Sequence, residues 1–346
     1  MIAPYRLLEW IIWIEILFVV LLIIITFLLR FYFYLRAKHN LHIANEVKVY
    51  LEKIVRENGK INTSDFPKKW RSLDILLPLI FSLDNTIKSD SWLRTKKEVA
   101  DSVLLPIARK KYKSYIWMNR LLSTQCFELW MEKEDEDHVA KLIDDKIPII
   151  HFHAIVAAVK FGTPKLINHV IDNMSKKRRL GQTVYLKIFE EASPTVREYV
   201  EERFKSEKDN FARATCYKIL MVFKEYNSSI DTVADMNSPN MELRLSAMRY
   251  TSLAKKENAI PLLLNLLSDP QWEVRAASIR LLGDLHAVDA IDQIADGLKD
   301  KSWWVRVNSA NTLKSFGESG LAILNAQTPE KDKYAYETAM HVLNKK

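Results

Sequence analysis

Asp269-Pro270-Gln271-Trp272-Glu273-Val274-Arg275-Ala276-Ala277-Ser278-Ile279-Arg280-Leu281-Leu282-Gly283 is the stretch from which the rest of the chain can be read. Asp269-Pro270 pairs a capping side chain with a proline suited to the first helical position, and a helix over 276–285 follows the arginine. The pattern recurs. Leu243-Arg244, Val274-Arg275 and Val305-Arg306 stand at equal intervals, and one further step back reaches Ala212-Arg213. Ser238-Pro239 precedes one of these as Asp269-Pro270 precedes another. Thr163-Pro164, Ser193-Pro194 and Thr328-Pro329 predict further helix starts of the same kind. A second helix is predicted between repeats, as in residues 259–267. A period near 30 with two helices per unit predicts an α-solenoid, in which each unit buries its apolar face only by stacking on the next.

Residues 269–283 resemble the first helix of HEAT repeats of the short bacterial, PBS-lyase type. Ala290-Ile291 and Ala259-Ile260-Pro261-Leu262-Leu263 resemble the opening of that family's second helix. Asp300-Lys301-Ser302-Trp303-Trp304-Val305-Arg306 repeats the pattern and closes at Phe316-Gly317. The resemblance is good over 238–325, weaker over 160–237 and absent before that. His286 stands where the family has glycine, so a different turn is expected there. The resemblance implies an all-α chain ending in a right-handed α-solenoid of HEAT-like helix pairs. It implies little about function, because the fold serves scaffolds, chromophore lyases and DNA-repair glycosylases alike.

Composition agrees with an all-α chain. Only 7 of 346 residues are glycine, where average usage would give roughly 24. So few glycines disfavour phosphate-binding loops, Rossmann folds and β-barrels.

At the other end, residues 11–29 are apolar apart from Glu15, with Trp10 and Trp13 at the start and Phe31, Tyr32, Phe33 and Tyr34 at the close. Twenty helical residues span about 30 Å, the thickness of a bilayer core, and aromatic belts suit its two interfaces. Arg30, Arg36 and Lys38 follow with no small-residue cleavage pattern, so an uncleaved single-pass anchor is predicted. Trp10, Trp13, Arg30, Tyr32, Tyr34, Arg36 and Lys38 are its expected interface residues. Only Arg6 and the α-amino group precede the span, opposed by Glu9. The positive-inside tendency therefore predicts an inner-membrane protein with its N-terminus outside and its C-terminal part in the cytoplasm. Glu15 is expected to reach the headgroups.

The organisation expected is a short extracytoplasmic segment over 1–9, the anchor over 10–35, a helical stalk over 36–58, a divergent helical region over 59–160 and the repeat array over 161–346. In the stalk, Leu41, Val47, Leu51, Ile54 and Val55 are expected on one face. Helices are predicted at 70–81, 98–111, 115–131 and 138–161, with residues 132–137 as a solvated acidic connector.

The net charge of +8 is unevenly placed. Residues 1–130 hold 20 basic and 12 acidic side chains, and the remainder is balanced. A basic excess next to the anchor suits an anionic leaflet, where each lysine or arginine contributes about 1 kcal/mol. A neutral array argues against nucleic acid. The run Lys176-Lys177-Arg178-Arg179 reads as a solvated helix end.

No residue is assigned a catalytic, cofactor-binding or metal-binding role. His151 and His153 are two apart, on different faces of a helix, and Cys126 and Cys216 are too distant in sequence to form a framework. Met241, Trp272 and Trp303 hold equivalent repeat positions, with Trp304 beside the last. They read either as packing between repeats or as an apolar ladder that anchors a partner, since tryptophan is favoured at binding hot spots. Arg213, Arg244, Arg275 and Arg306 read as a structural ladder to neighbouring carboxylates and carbonyls. The expected function is a non-enzymatic scaffold that binds and organises protein partners at the membrane. The alternative is an accessory subunit of a membrane-bound system such as envelope or exopolysaccharide synthesis, or a lyase-like protein.

Overall fold

The structure, a computed structural model, describes residues 3–61, 66–176, 179–227, 230–254 and 259–344. Lys177 and Arg178 of the basic run lie outside the described residues. Every regular element among the described residues is helical. The chain divides into two compact units, Met1–Leu142 with Lys146–Ala157, and Ile143–Asp145 with Ala158–Lys346.

The first unit is built on one helix, Ala3–Glu57. No proline interrupts it beyond its first turn and no glycine occurs within it, so nothing breaks its hydrogen-bond ladder. It stops where Asn58 turns left-handed at φ 53° and the Gly59 amide donates to Ile54 O at 2.9 Å. Residues 10–39 are exposed throughout, although Ile11–Leu29 is apolar. The helix is long and apolar enough to cross a membrane.

Beyond residue 39 the same helix acquires a buried face. Ile43, Val47 and Leu51, four residues apart, are buried. Leu41, expected on that face, is 63% exposed, because it lies two residues from Ile43 on the opposite side of the turn. The stalk is therefore part of a packed unit rather than a free rod. Arg36 pairs with Asp74 at 3.3 Å. Trp70 Nε1 donates to Glu46 Oε2 at 3.0 Å. Tyr50, Phe66 and Trp70 pack together, with Phe66 edge to face against the other two rings.

Two helices cover this face. Leu73–Thr86 runs first, and Asp90–Val99, a π-turn at Ala100–Leu104 and Leu105–Lys111 follow as one unbroken return. Asp84 ties the pair together, accepting from Trp92 Nε1 at 3.0 Å and pairing with Lys96 at 2.8 Å. The π-turn precedes Pro106, whose ring cannot coexist with an ordinary i−4 hydrogen bond. Helices thus begin later than expected at 73 and earlier at 90, while Trp117–Leu129 falls inside the predicted 115–131.

The predicted helix 138–161 is two helices, Glu136–Ile143 and Pro148–Phe161, broken by Asp144-Asp145-Lys146 and restarted at a proline. The acidic connector also departs from expectation. Asp135 is fully buried, accepting from Arg109 Nε at 2.7 Å and Nη2 at 2.9 Å, and from the Glu132 amide at 3.1 Å. Its partner lies 26 residues upstream, beyond the reach of local sequence.

The second unit repeats. Helices Asn210–Val222, Met241–Leu253, Trp272–Asp284 and Trp303–Ser315 are equal in length and start at equal intervals along the chain. Successive members pack on one another, and Lys333–Leu343 packs on the last. Between them run the second helices, Val233–Met236, Ala259–Asn265, Ile291–Asp296 and Glu318–Asn325. Buried Leu243, Val274 and Val305, at equivalent positions, show why the array holds only by stacking.

Two sequence expectations about helix starts are corrected by the fold. Pro239 and Pro270 do not open helices; Asn240 and Gln271 are the N-caps. Thr328-Pro329 forms a turn, and Asp332 caps the last helix by accepting from the Tyr334 and Ala335 amides. The turn at His286 differs from that at the in-phase glycine, as expected. His286 (φ 52°) and Lys224 (φ 56°) share positive φ with Gly317 (φ 70°), in phase with the repeat, but Gly317 has ψ −139° and caps the next helix, whereas at His286 the Ala287 amide donates back to Leu282 O at 3.0 Å.

Candidate partner-binding site

The site is assembled from what fixes the start of each first helix. In three successive repeats an arginine one turn into the helix reaches back. Arg244 Nη1 donates to Ser238 O at 2.8 Å, Arg275 Nη1 to Asp269 O at 2.8 Å, and Arg306 Nη1 to Asp300 O at 2.8 Å. Each also reaches the carbonyl of the next residue. These bonds hold the preceding segment extended, which is why Pro239 and Pro270 stay outside their helices.

The same arginines link repeat to repeat. Arg244 pairs with Asp269 at 2.8 Å, and Arg275 with Asp300 at 2.7 Å, at the same separation in sequence. Arg213 pairs with Asp235 at 2.8 Å, over a shorter separation, because this carboxylate comes from within the second helix Val233–Met236 and Ser238 stands at the position that Asp269 holds one repeat on. The aspartates serve twice. Asp269 accepts from the Gln271 amide and Asp300 from the Ser302 amide. Arg306 ends the series. It stacks on Tyr334 at 5.3 Å and donates to Thr338 Oγ1 at 3.5 Å; Lys331 stands where the period would place the next aspartate.

With the loops so fixed, the first residues of successive helices are presented outward. Trp272, Trp303 and Trp304 are 38%, 47% and 54% exposed. Trp272 and Trp304 stack at 6.3 Å with rings 18° from parallel, and Trp303 meets Trp304 edge-on at 4.7 Å. The three form one aromatic surface spanning two repeats. Met241, at the equivalent start, is half-buried and has no part in these ring contacts.

Phe211, one residue into its helix and 52% exposed, carries no signal in the sequence that singles it out. It borders a groove of about 830 Å³ lined by Asp172, Gln182, Arg203, Lys218 and Glu242. The groove's charges are paired internally. Arg203 meets Asp172 at 2.8 Å, and Lys218 Nζ donates to Gln182 Oε1 at 2.6 Å and to Glu242. Only their spacing in the folded array reveals this, since the repeat pattern is weakest there. Burial pushes the nearby Cys216 thiol up to about 12, which leaves it a poor nucleophile. Among the described residues no group of three or more histidine, cysteine or acidic side chains is placed to hold a metal ion.

Of the expected membrane-interface residues, Trp10, Trp13, Arg30, Tyr32, Tyr34, Arg36 and Lys38 are all exposed along the first helix, and Arg36 is also the one paired to Asp74.

Residues 260–340 match the HEAT-repeat family model and are HEAT repeats. The chain is similar to YibA of Escherichia coli, whose X-ray structure is 15% identical with a TM-score of 0.37, over 81% of this chain and 98% of that one. It is also similar to human deoxyhypusine hydroxylase in complex with glycerol, 15% identical with a TM-score of 0.30, over 72% and 97%. No curated protein sequence matches the chain.

Proposed function

From a chain that carries HEAT repeats over residues 260–340, we propose that this protein is a membrane-anchored, non-enzymatic scaffold that gathers protein partners on its repeat array. The observation that carries the reading is the exposed, mutually stacked cluster Trp272, Trp303 and Trp304. Large rigid aromatics held exposed by a fixed loop suit a binding hot spot, because little entropy is lost on docking. Met241 holds the equivalent position one repeat earlier, half-buried and outside the stacked cluster. The apolar segment of the first helix anchors the protein in the inner membrane, with the basic excess on the cytoplasmic side. Partners are proteins at that membrane, and anionic lipid contacts the basic N-terminal unit.

Crosslinking of the full-length protein in living cells, followed by detergent extraction and mass spectrometry, tests this. A defined membrane-protein partner is expected, lost from a control lacking residues 1–38 and from Trp303→Ala/Trp304→Ala. Recovery of no enriched partner, or of the same set with the double variant, overturns the reading.

A further inference from the structure

The turn between Leu105–Lys111 and Trp117–Leu129 exposes four consecutive apolar residues. Tyr115 is 93% exposed, Ile116 46%, Trp117 45% and Met118 44%. This is no loose loop. The Ile116 amide and Asn119 Nδ2 each donate to Ser114 Oγ at 3.2 Å, and Arg120 Nη1 donates to Ser114 O at 2.8 Å and Tyr115 O at 3.3 Å. The tip is built, and what it presents is apolar.

The approach to it along the chain is basic, and Arg109 before it is already paired with Glu134 and Asp135. Lys110, Lys111 and Lys113 are exposed on the approach, and no acidic residue occurs between Asp101 and Glu128. An apolar tip with three exposed lysines on its approach complements an anionic bilayer, in which the aromatic residues enter the headgroup region and the lysines meet the phosphates.

The topology of the same unit brings the tip toward that surface. Arg36, just beyond the apolar segment, pairs with Asp74 and so fixes the start of Leu73–Thr86 near the point where the first helix leaves that segment. Arg94 donates to Asn58 Oδ1 at 2.6 Å, which places the start of the return helix at the far end. The outgoing helix is about 20 Å long and the continuous return Asp90–Lys111 about 33 Å. Running back from Arg94, the return covers about 26 Å by Lys111, against about 33 Å of first helix between Asn58 and Arg36, so the turn after Lys111 is carried back toward the end where the first helix emerges.

We propose that Tyr115–Met118, with Lys110, Lys111 and Lys113, is a second membrane contact that docks the N-terminal unit on the anionic leaflet. The proposal rests on the anchoring reading above. Docking at two points fixes the unit's orientation on the membrane, which a single helix leaves free to rotate.

The test uses full-length protein reconstituted into vesicles of phosphatidylcholine, alone or mixed with phosphatidylglycerol. Tyr115→Cys carries an environment-sensitive fluorophore, and Phe27→Cys in the apolar segment carries the same probe as a control. The native Cys126 and Cys216 are buried and escape labelling; circular dichroism establishes that each variant is folded. The Phe27 probe is expected to be quenched by brominated lipid in both vesicles. The Tyr115 probe is expected to shift to the blue and be quenched in anionic vesicles only, with both effects lost in Lys110→Ala/Lys111→Ala/Lys113→Ala. Quenching at Phe27 with none at Tyr115 overturns the second contact and leaves the anchor standing. No quenching at Phe27 overturns the anchor itself. Equal quenching of Tyr115 in neutral vesicles overturns recognition of anionic lipid. A blue shift at Tyr115 that grows with protein density without bromolipid quenching identifies a second copy of the chain as the occupant and overturns the proposal.

Discussion

Arg275 and Asp300 form two parallel hydrogen bonds, Nε to Oδ2 at 2.7 Å and Nη2 to Oδ1 at 2.8 Å, while the third guanidinium nitrogen holds Asp269 O at 2.8 Å. One side chain thus fixes its own helix start and ties it to the next repeat. The planar fork of arginine makes this possible, and a lysine could not satisfy all three acceptors in one plane.

Asp300→Asn should therefore cost about 3 kcal/mol, because it strands a largely buried guanidinium. Replacing both partners, Arg275→Met with Asp300→Leu, should recover only part of that loss, because the Asp269 and Pro270 carbonyls and the Ser302 amide lose their partners as well. Denaturant unfolding of the detergent-solubilised protein measures both; equal stability of Asp300→Asn and the parent would refute the linkage.

Acid should act through the same groups. Burial alone would raise the carboxyls of Asp300 and Asp135, but hydrogen bonds from Arg275 and the Ser302 amide, and from Arg109 and the Glu132 amide, hold both below the usual 3.8. A folded-state value below the unfolded one gives stability that is complete above the unfolded value and is lost as pH falls through the folded one. The melting temperature should be level near neutrality and fall below about pH 4. In Asp135→Asn/Asp300→Asn that acid limb should be shallower.

The left-handed turns offer a gain. His286 and Lys224 hold positive φ, which costs a side chain but not glycine, so His286→Gly and Lys224→Gly should each stabilise the array by about 1 kcal/mol. Gly317→Ala should cost a similar amount. Melting temperatures of the three variants should separate in those directions.

At Gly320 the constraint is space. An added Cβ would lie 1.8 Å from the carbonyl oxygen of Leu313, a backbone atom that cannot rotate away. Gly320→Ala should destabilise by about 3 kcal/mol, and a variant as stable as the parent would show that the helix Glu318–Asn325 can shift.

The tryptophans separate binding from stability. Trp303→Ala/Trp304→Ala removes exposed rings, so unfolding should change by less than about 1 kcal/mol while crosslinked partner falls at least tenfold, as hot-spot truncation does. Loss of stability in parallel with binding would instead assign the rings to packing between repeats.

The features legible in the residues alone are periodic or local. The even repeat step, the helix pairs and the unbroken apolar N-terminal helix all belong here, because each repeat reuses one pattern of apolar spacing and no breaker interrupts residues 5–57. The arginine ladder is legible too, as a residue recurring in phase. Tertiary structure decides whatever depends on a partner distant in sequence. Asp135 is buried because Arg109 arrives from another helix, and Pro270 stays outside its helix because Arg275 holds the carbonyls of Asp269 and Pro270. The stacking of Trp272 on Trp304 likewise follows from packing. A contact many turns away along the chain leaves no mark on local spacing. Only closure of the chain in three dimensions brings the two charges, or the two rings, within reach.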